Sequence, residues 1–209
     1  MTSISQPNVN ESKHIYLIDD DDSMRKIIAS MLDFLGYQVH VFSSAVDFLE
    51  HSVKGAPAVI ITDMRMPDMN GVELQAELIK RGRQIPMIFI SGQSTVPQTI
   101  SAMKQGAIDF LVKPFDRDQL LLAVVRGLEQ DAINMRAYIE RAALEEGLKA
   151  LAPREREVFE LLSLGFNNAQ IQEKLNISLP TAKQYKSEVM RKLNLRSLAQ
   201  LIALKNPNS

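Results

Sequence analysis

The chain has 209 residues, of which 45% are hydrophobic and 23% charged, and its formal net charge at pH 7 is -1. This is the composition of an ordinary soluble protein of one or two domains. The absence of cysteine excludes disulfides and thiolate metal sites. No apolar run is long enough to span a bilayer, and the polar N-terminus lacks the apolar segment of a signal peptide, so we expect a cytoplasmic protein.

Residues 1–12 are polar and are predicted to form a disordered leader. Strand and helix patterns then alternate five times. The predicted strands are 14–19, 38–42, 57–62, 86–90 and 108–112, and the predicted helices are 23–35, 44–54, 71–81, 95–105 and one that begins near 117. Strands 57–62 and 86–90 are apolar at nearly every position, as expected where helices cover both faces of a sheet. The pattern predicts an α/β fold with a doubly wound, five-stranded parallel sheet.

The helix that begins near residue 117 continues past the last predicted strand. Apolar residues recur along it with alternating spacings of four and three: Leu121, Val125, Leu128, Ala132, Met135, Ile139 and Ala142. Such a heptad-like stripe is typical of a helix that packs along one side. Two interpretations stay open: a linker helix whose early part packs on its own sheet, or a helix whose later part contacts the second domain or a second subunit. We expect Gly127 to interrupt this helix and Gly147 to end it.

From residue 152 to 204 the pattern is helical throughout. Pro153 begins a helix whose first turn tolerates proline. Asn167 or Asn168 caps a short second helix, and Ser178 caps a third. The pattern therefore predicts a small all-α domain.

Charge is distributed unevenly between the two predicted parts. Residues 1–149 carry 15 Lys and Arg against 20 Asp and Glu, giving -5, whereas residues 150–209 carry 9 against 5, giving +4. A basic segment indicates a nucleic-acid partner. By itself this signal is weak, because a run of charges usually forms a solvated face.

Polar side chains follow four of the predicted strands. Asp19 ends the first strand and Asp20 follows it, Asp63 follows the third, Ser91 the fourth and Lys113 the fifth. Because ligands bind at the carboxyl ends of parallel strands, we expect these groups to meet in one crevice. Carboxylate oxygens suit a divalent cation such as Mg²⁺, and the ammonium group suits a phosphoryl group.

Residues 14–115 resemble the receiver domain of two-component response regulators. The resemblance rests on Asp19-Asp20, the segment from Asp63 to Gly71, Ser91-Gly92 and Lys113-Pro114-Phe115. It implies a flavodoxin-like strand order, 2-1-3-4-5, and a cis peptide bond before Pro114. We assign the receiver domain to residues 13–127 and a linker helix to 128–149.

The resemblance implies that Asp63 accepts a phosphoryl group from a sensor histidine kinase. Lys113 and Ser91 would support the phosphoryl oxygens, and Phe110 would be the aromatic switch residue coupled to Ser91. This agrees with simple electrostatics, since a carboxylate that attacks phosphorus is repelled unless positive charge neutralises the oxygens.

The same resemblance implies a magnesium site beside the phosphoryl acceptor. Asp20, Asp63 and the backbone carbonyl of Arg65 would bind Mg²⁺, and Asp19 would act through a metal-bound water.

Residues 151–204 resemble the LuxR/FixJ-type helix-turn-helix, and we assign this domain to residues 150–209. The resemblance rests on Leu151, the segment from Arg154 to Val158, Gly165, Asn168, Ile171, Leu175, Ile177, Thr181, Lys183, Met190, Lys192 and Leu193. It makes 168–175 the scaffold helix and 179–193 the recognition helix. Ala182, Tyr185, Val189 and Leu193 should pack inward. The predicted DNA contacts are Lys183, Gln184 and Ser187 to base edges and Thr181, Lys186 and Arg191 to phosphates.

Together the two resemblances predict a FixJ-like response regulator that is not an enzyme. It would bind double-stranded promoter DNA, dimerise when phosphorylated through helix 95–105 and strand 108–112, and activate transcription by RNA polymerase. Two alternatives stay open. One is an orphan regulator whose DNA binding does not depend on phosphorylation. The other is an aspartate-nucleophile phosphatase, a class that usually has a second acid where this chain has Arg65.

Overall fold

The computed structural model describes residues 12–53, 55–82, 84–92 and 96–205. The predicted leader therefore lies outside the described residues except for its last residue. Two ends of predicted helices also lie outside the described residues: residue 54, where the second helix was expected to end, and residue 95, where the fourth was expected to begin. The chain divides into two compact units between Met135 and Arg136.

The first unit is built on a parallel sheet of five strands. These are β1 (His14–Ile18), β2 (Gln38–Phe42), β3 (Ala58–Asp63), β4 (Met87–Ser91) and β5 (Asp109–Val112). They lie in the order β2-β1-β3-β4-β5, which confirms the predicted fold and strand order. Every strand boundary falls within one residue of its prediction, because runs of β-branched and aromatic residues between polar loops are a strong strand signal.

Helices cover both faces of this sheet. They are α1 (Asp22–Phe34), α2 (Ala45–Glu50), α3 (Gly71–Lys80), α4 (Val96–Lys104) and α5 (Arg117–Lys149). One core lies on the side of α2, α3 and α4 and includes Tyr16, Phe48, Leu74, Phe89 and Ala102. The other lies on the side of α1 and α5 and includes Ile15, Leu17, Ile28, Ile61 and Leu120. Successive strand residues thus alternate between two buried cores, which explains why the central strands are apolar throughout.

Helix α2 is shorter than predicted. The sequence pattern extended it over 44–54, but it ends at Glu50 because His51 already has an extended backbone. Ser52 and Val53, which follow, are weak helix formers.

Helix α5 passes through both glycines that were expected to break it, so those two predictions were wrong. A side chain at position 127 would bring its Cβ within 2.6 Å of Val59 Cγ2 in β3, and one at position 147 would lie 2.5 Å from the backbone oxygen of Lys192. Both glycines are therefore positions of close packing within their own units. The Asp131 carboxylate accepts a hydrogen bond from the Ala58 amide at 2.7 Å and fastens α5 to the start of β3.

The second unit consists of the end of α5 and four further helices. These are α6 (Pro153–Ser163), α7 (Asn168–Leu175), α8 (Leu179–Lys192) and α9 (Leu198–Lys205). Their buried core includes Val158, Leu162, Ile171, Ala182, Val189, Leu193 and Leu201. Asn167 caps α7 and Ser178 caps α8, as predicted.

A partly buried ion pair joins the start of α6 to the end of α8. Lys192 Nζ donates to Glu155 at 2.6 Å, and the same carboxylate accepts the Ala152 amide at 2.7 Å. The Lys192 ammonium, followed by the Ala152 amide, holds the pKa of Glu155 below its ordinary value. Among the residues described in either unit, no helix is long and apolar enough to cross a membrane.

Candidate functional site

Three carboxylates meet at the carboxyl end of the sheet. Asp19 and Asp20 follow β1, and Asp63 ends β3; one oxygen from each lies within 4.8 Å of the others. Asp19 is 1% exposed, whereas Asp20 is open to solvent. Within the described part of the chain, this is the one group of three or more acidic or histidine side chains whose ligand atoms all lie within 4.8 Å of one another without any rotation of a side chain.

Lys113 connects two of these carboxylates. Its Nζ lies 2.5 Å from Asp63 Oδ2 and 3.1 Å from Asp19 Oδ2. Burial favours the neutral amine, but hydrogen bonds to Asp63 and Asp19 outweigh it and hold the pKa of Lys113 above its ordinary value. The Lys113 amide donates to the Ser91 carbonyl at 2.8 Å, and the peptide bond to Pro114 is cis, as predicted. The crevice therefore contains a charged ammonium group in a fixed position.

Asp19 is the most buried acid of the group. Burial, together with the nearby Asp63 charge, raises the pKa of Asp19 although the Asp21 amide and Lys113 act to lower it. The Arg25 guanidinium donates to the Asp19 carbonyl at 2.6 Å and also pairs with Asp22. Sequence reasoning missed Arg25, although a basic residue one turn into the helix that follows the acidic loop was an available signal.

Both oxygens of Asp63 have a partner. Oδ1 accepts the Arg65 amide at 2.8 Å, and Oδ2 accepts from Lys113. The Asp63 side chain is 12% exposed, so a small group can reach it from solvent. The Arg65 side chain itself points to solvent. The carboxylate is thus oriented in advance by an amide and an ammonium group.

Ser91 is 1% exposed, and its Oγ has no hydrogen-bond partner among the described residues. An unpaired buried hydroxyl costs free energy, so this group is available to donate to a ligand that enters the crevice. Phe110 is half-buried and packs on the core that contains Phe89. Ser91 and Phe110 project from the same face of the sheet, because Phe110 is opposite Phe89 and side chains alternate along a strand.

The predicted recognition helix, α8, has the expected buried and exposed sides. Ala182 and Val189 are fully buried and Leu193 nearly so, while Tyr185 is half-buried in the same core. The exposed side chains include Lys183, Gln184, Ser187 and Arg191, and the half-buried ones include Thr181 and Lys186.

Two of the predicted phosphate contacts already have protein partners. The Thr181 hydroxyl is 2.7 Å from the Ser178 hydroxyl that caps α8. Arg191 pairs with Glu188 at 2.7 Å, so a phosphate would have to compete with that carboxylate. Lys183 and Gln184 are exposed and face away from the core.

Comparison with known proteins matches both units. Residues 15–125 match the response regulator receiver domain, and residues 149–204 match the bacterial regulatory proteins of the luxR family. The transcriptional regulatory protein FixJ of Azorhizobium caulinodans is 38% identical over 93% of this chain and 92% of its own length. Nodulation protein W of Bradyrhizobium diazoefficiens is 36% identical over 91% of this chain and 84% of its own length. The solved structure of the response regulator StyR is 38% identical, has a TM-score of 0.81, and is matched over 94% of this chain and 99% of that one.

Proposed function

The chain belongs to the two-component response regulators that combine a receiver domain with a luxR-type DNA-binding domain, and we propose that phosphorylation of Asp63 controls its binding to DNA. The observation that carries the proposal is the Asp63 carboxylate at the sheet edge, 2.5 Å from an ammonium group and beside two further carboxylates. The family implies a sensor histidine kinase as the phosphoryl donor and promoter DNA as the target.

In the proposed transfer, an oxygen of Asp63 attacks the phosphorus atom of the donor. A bond from phosphorus to Asp63 forms as the bond to the leaving group breaks, giving an acyl phosphate. Lys113 then holds a phosphoryl oxygen and neutralises part of its charge, and the Ser91 hydroxyl, which has no partner within the described part of the chain, donates to another. Phe110 follows the movement of Ser91 and alters the surface above β5.

The acidic group fits Mg²⁺, because its donors are hard oxygens and this cation needs only one or two carboxylates. Asp20, Asp63 and the backbone carbonyl of Arg65 would hold the ion, and Asp19 would contribute through water. Bound Mg²⁺ supplies positive charge that lowers the repulsion between the carboxylate and the phosphoryl oxygens.

On the DNA side, Lys183, Gln184 and Ser187 are proposed to contact base edges in the major groove. Thr181, Lys186 and Arg191 would contact phosphates, with Arg191 leaving Glu188 to do so.

Phosphorylation would favour a homodimer through α4 and β5. Ile100, Met103 and Val112 are large apolar side chains on these elements that are between 45% and 59% exposed, which supports this surface. A dimer doubles the contact area on paired half-sites, which one short helix cannot supply alone. The dimer would then activate transcription by RNA polymerase in the cytoplasm.

We propose a receiver domain at residues 13–127, a linker helix at 128–149 and a DNA-binding domain at 150–209. The protein would act as a switch and not as an enzyme. An aspartate-nucleophile phosphatase is disfavoured because Arg65, and not an acid, stands two residues after Asp63. An orphan regulator is disfavoured because Asp19, Asp20, Asp63, Ser91 and Lys113 are all present.

Intact mass spectrometry after incubation with Mg²⁺ and a small acyl-phosphate donor tests the acceptor. We expect wild type to gain one phosphoryl group and Asp63→Asn to gain none. Asp68→Asn is the matched control, because Asp68 is an exposed acid in the same loop and asparagine tolerates its φ of 67°. This control should be phosphorylated like wild type. A gain in Asp63→Asn would exclude Asp63 as the acceptor, and no gain in wild type with any donor or kinase would favour the orphan regulator.

A further inference from the structure

All three histidines of the chain lie together at one edge of the sheet. His14 begins β1, His40 lies in β2 and His51 directly follows α2. Tyr16 is paired with His40 in the sheet, so His14 and His40 project from the same face of neighbouring strands. The cluster lies toward the amino end of β1, whereas Asp19 follows its carboxyl end.

The two strand histidines contact each other through their ring nitrogens. His14 Nδ1 and His40 Nε2 are 3.1 Å apart, so one ring donates and the other offers its lone pair. Two histidine nitrogens that share a tetrahedral zinc ion lie about 3.4 Å apart, given zinc–nitrogen bonds of about 2.0–2.1 Å. A metal ion can therefore replace the shared proton after small rotations of the two rings.

Neighbouring groups hold both rings in place. The His40 ring stacks on Tyr16 with centroids 4.8 Å apart, and it lies edge to edge with the His14 ring, the two planes differing by 13°. The second nitrogen of His14 lies 3.1 Å from Ser12 Oγ, the kind of outer hydrogen bond that orients metal-binding histidines. The His51 ring is exposed and its centroid is 6.2 Å from that of His40, so its nitrogens do not join the pair as placed and would reach it only after a change of side-chain rotamer.

We propose that the His14–His40 pair, joined by His51 after a change of its side-chain rotamer, binds a divalent transition metal ion such as Zn²⁺ or Ni²⁺. Imidazole donors select these ions over Mg²⁺, which prefers oxygen. The site is independent of the phosphoryl acceptor. Bound metal would tie the edge strand β2 and the end of α2 to β1.

The test is a Zn²⁺ titration of the untagged full-length protein in competition with a colorimetric zinc chelator. With excess Mg²⁺ present to occupy the acidic crevice, we expect one Zn²⁺ ion per wild-type chain and an affinity at least about tenfold lower in His40→Gln and in His14→Gln, with a smaller loss in His51→Gln. Asp20→Asn is the control for binding at the acidic crevice and should keep the wild-type affinity.

Imidazole NMR signals of the wild type provide a readout that does not depend on how the variants fold. Zn²⁺ should shift the ring signals of His14 and His40 at one equivalent. Equal zinc affinity in wild type and His40→Gln, loss of binding in Asp20→Asn alone, or unshifted imidazole signals would overturn the proposal.

Discussion

Lys113 connects the side chains that form the receiver crevice. One ammonium group contacts Asp19 and Asp63, which come from different strands, while the Lys113 amide is fixed to Ser91. The convergence of these groups was predictable, because each stands at the end of a strand and parallel strands end at one edge. Arg25 was missed although its place one turn into the helix after the acidic loop was visible, because its hydrogen bond is to a backbone carbonyl that a pattern of side chains does not show.

The buried Ser91 hydroxyl gives the first prediction at this scale. Ser91→Ala should leave the free energy of unfolding unchanged or slightly higher, because it removes a polar atom that has no partner among the described residues. Thr62→Val is the matched comparison. Thr62 is fully buried and its hydroxyl donates to the Asp63 carbonyl at 3.1 Å, so losing it should cost about 1 kcal/mol.

Urea denaturation of the two variants measures this difference. Ser91→Ala should in addition accumulate less phosphoryl-Asp63, because a donor to the phosphoryl oxygens is lost. A destabilisation of Ser91→Ala as large as that of Thr62→Val would mean that the Ser91 hydroxyl has a structural partner in the resting protein.

At the level of elements, α5 departs most from its prediction. Glycine lowers helix propensity by about 1 kcal/mol relative to alanine, so a sequence pattern treats Gly127 as an interruption. The helix continues because the missing side chain lets it approach Val59 closely, a tertiary effect that no local pattern contains. The five strands, by contrast, were predicted within one residue because their apolar runs are themselves the signal. The prediction placed the end of α2 too late, because the helix stops where the backbone of His51 becomes extended.

Gly127→Ala should therefore destabilise the first unit despite the better helix propensity of alanine. Crowding against Val59 should cost about 1–3 kcal/mol. In a Val59→Ala background the same substitution should be neutral or stabilising by up to about 1 kcal/mol. Denaturant titrations of the two single variants and the double variant give the coupling energy. An equal effect of Gly127→Ala in both backgrounds would show that contact with Val59 does not explain the glycine.

The Glu155–Lys192 pair gives a prediction for the second unit. Glu155→Gln should lower the free energy of unfolding of the second unit at pH 7 by about 1 kcal/mol, because the charge-assisted hydrogen bond from Lys192 is weakened. The folded pKa of Glu155 lies below its ordinary value of 4.5, so its stabilising contribution is present above that pH and is lost as the pH falls through the folded pKa. The difference in free energy of unfolding between Glu155→Gln and wild type should therefore become smaller below pH 4.5.

Glu157→Gln is the control, since Glu157 pairs with Arg154 on the exposed side of the same helix. Thermal unfolding from pH 3 to pH 7 should show little effect of that change. If Glu155→Gln is less stable than wild type by the same amount at every pH in this range, ionisation of Glu155 does not cause the difference in stability.

Across the whole molecule, charge and chemistry divide between two units of one chain. The acidic part carries the candidate phosphoryl acceptor, and the basic part carries exposed Lys183 and Gln184 on α8.

Helix α5 belongs to both units, since the division falls within it. Its early part packs on its own sheet through Leu128 and Asp131, as the first interpretation of its apolar stripe predicts. Its later part contacts the core of the second unit through Leu144 and Leu148, as the second interpretation predicts for the second domain. Ile139 lies on the same stripe and is 60% exposed, so burial along the stripe is interrupted between the two packed parts.

The most direct test of phosphorylation control is the affinity for DNA measured by fluorescence anisotropy. The duplex would first be selected in vitro with wild type treated with the acyl-phosphate donor. Treated wild type should bind this duplex at least about tenfold more tightly than untreated wild type, within the usual range of allosteric coupling. Asp63→Asn should show no gain on treatment. Equal affinity of Asp63→Asn and phosphorylated wild type would contradict control by Asp63 and indicate a regulator that binds DNA constitutively.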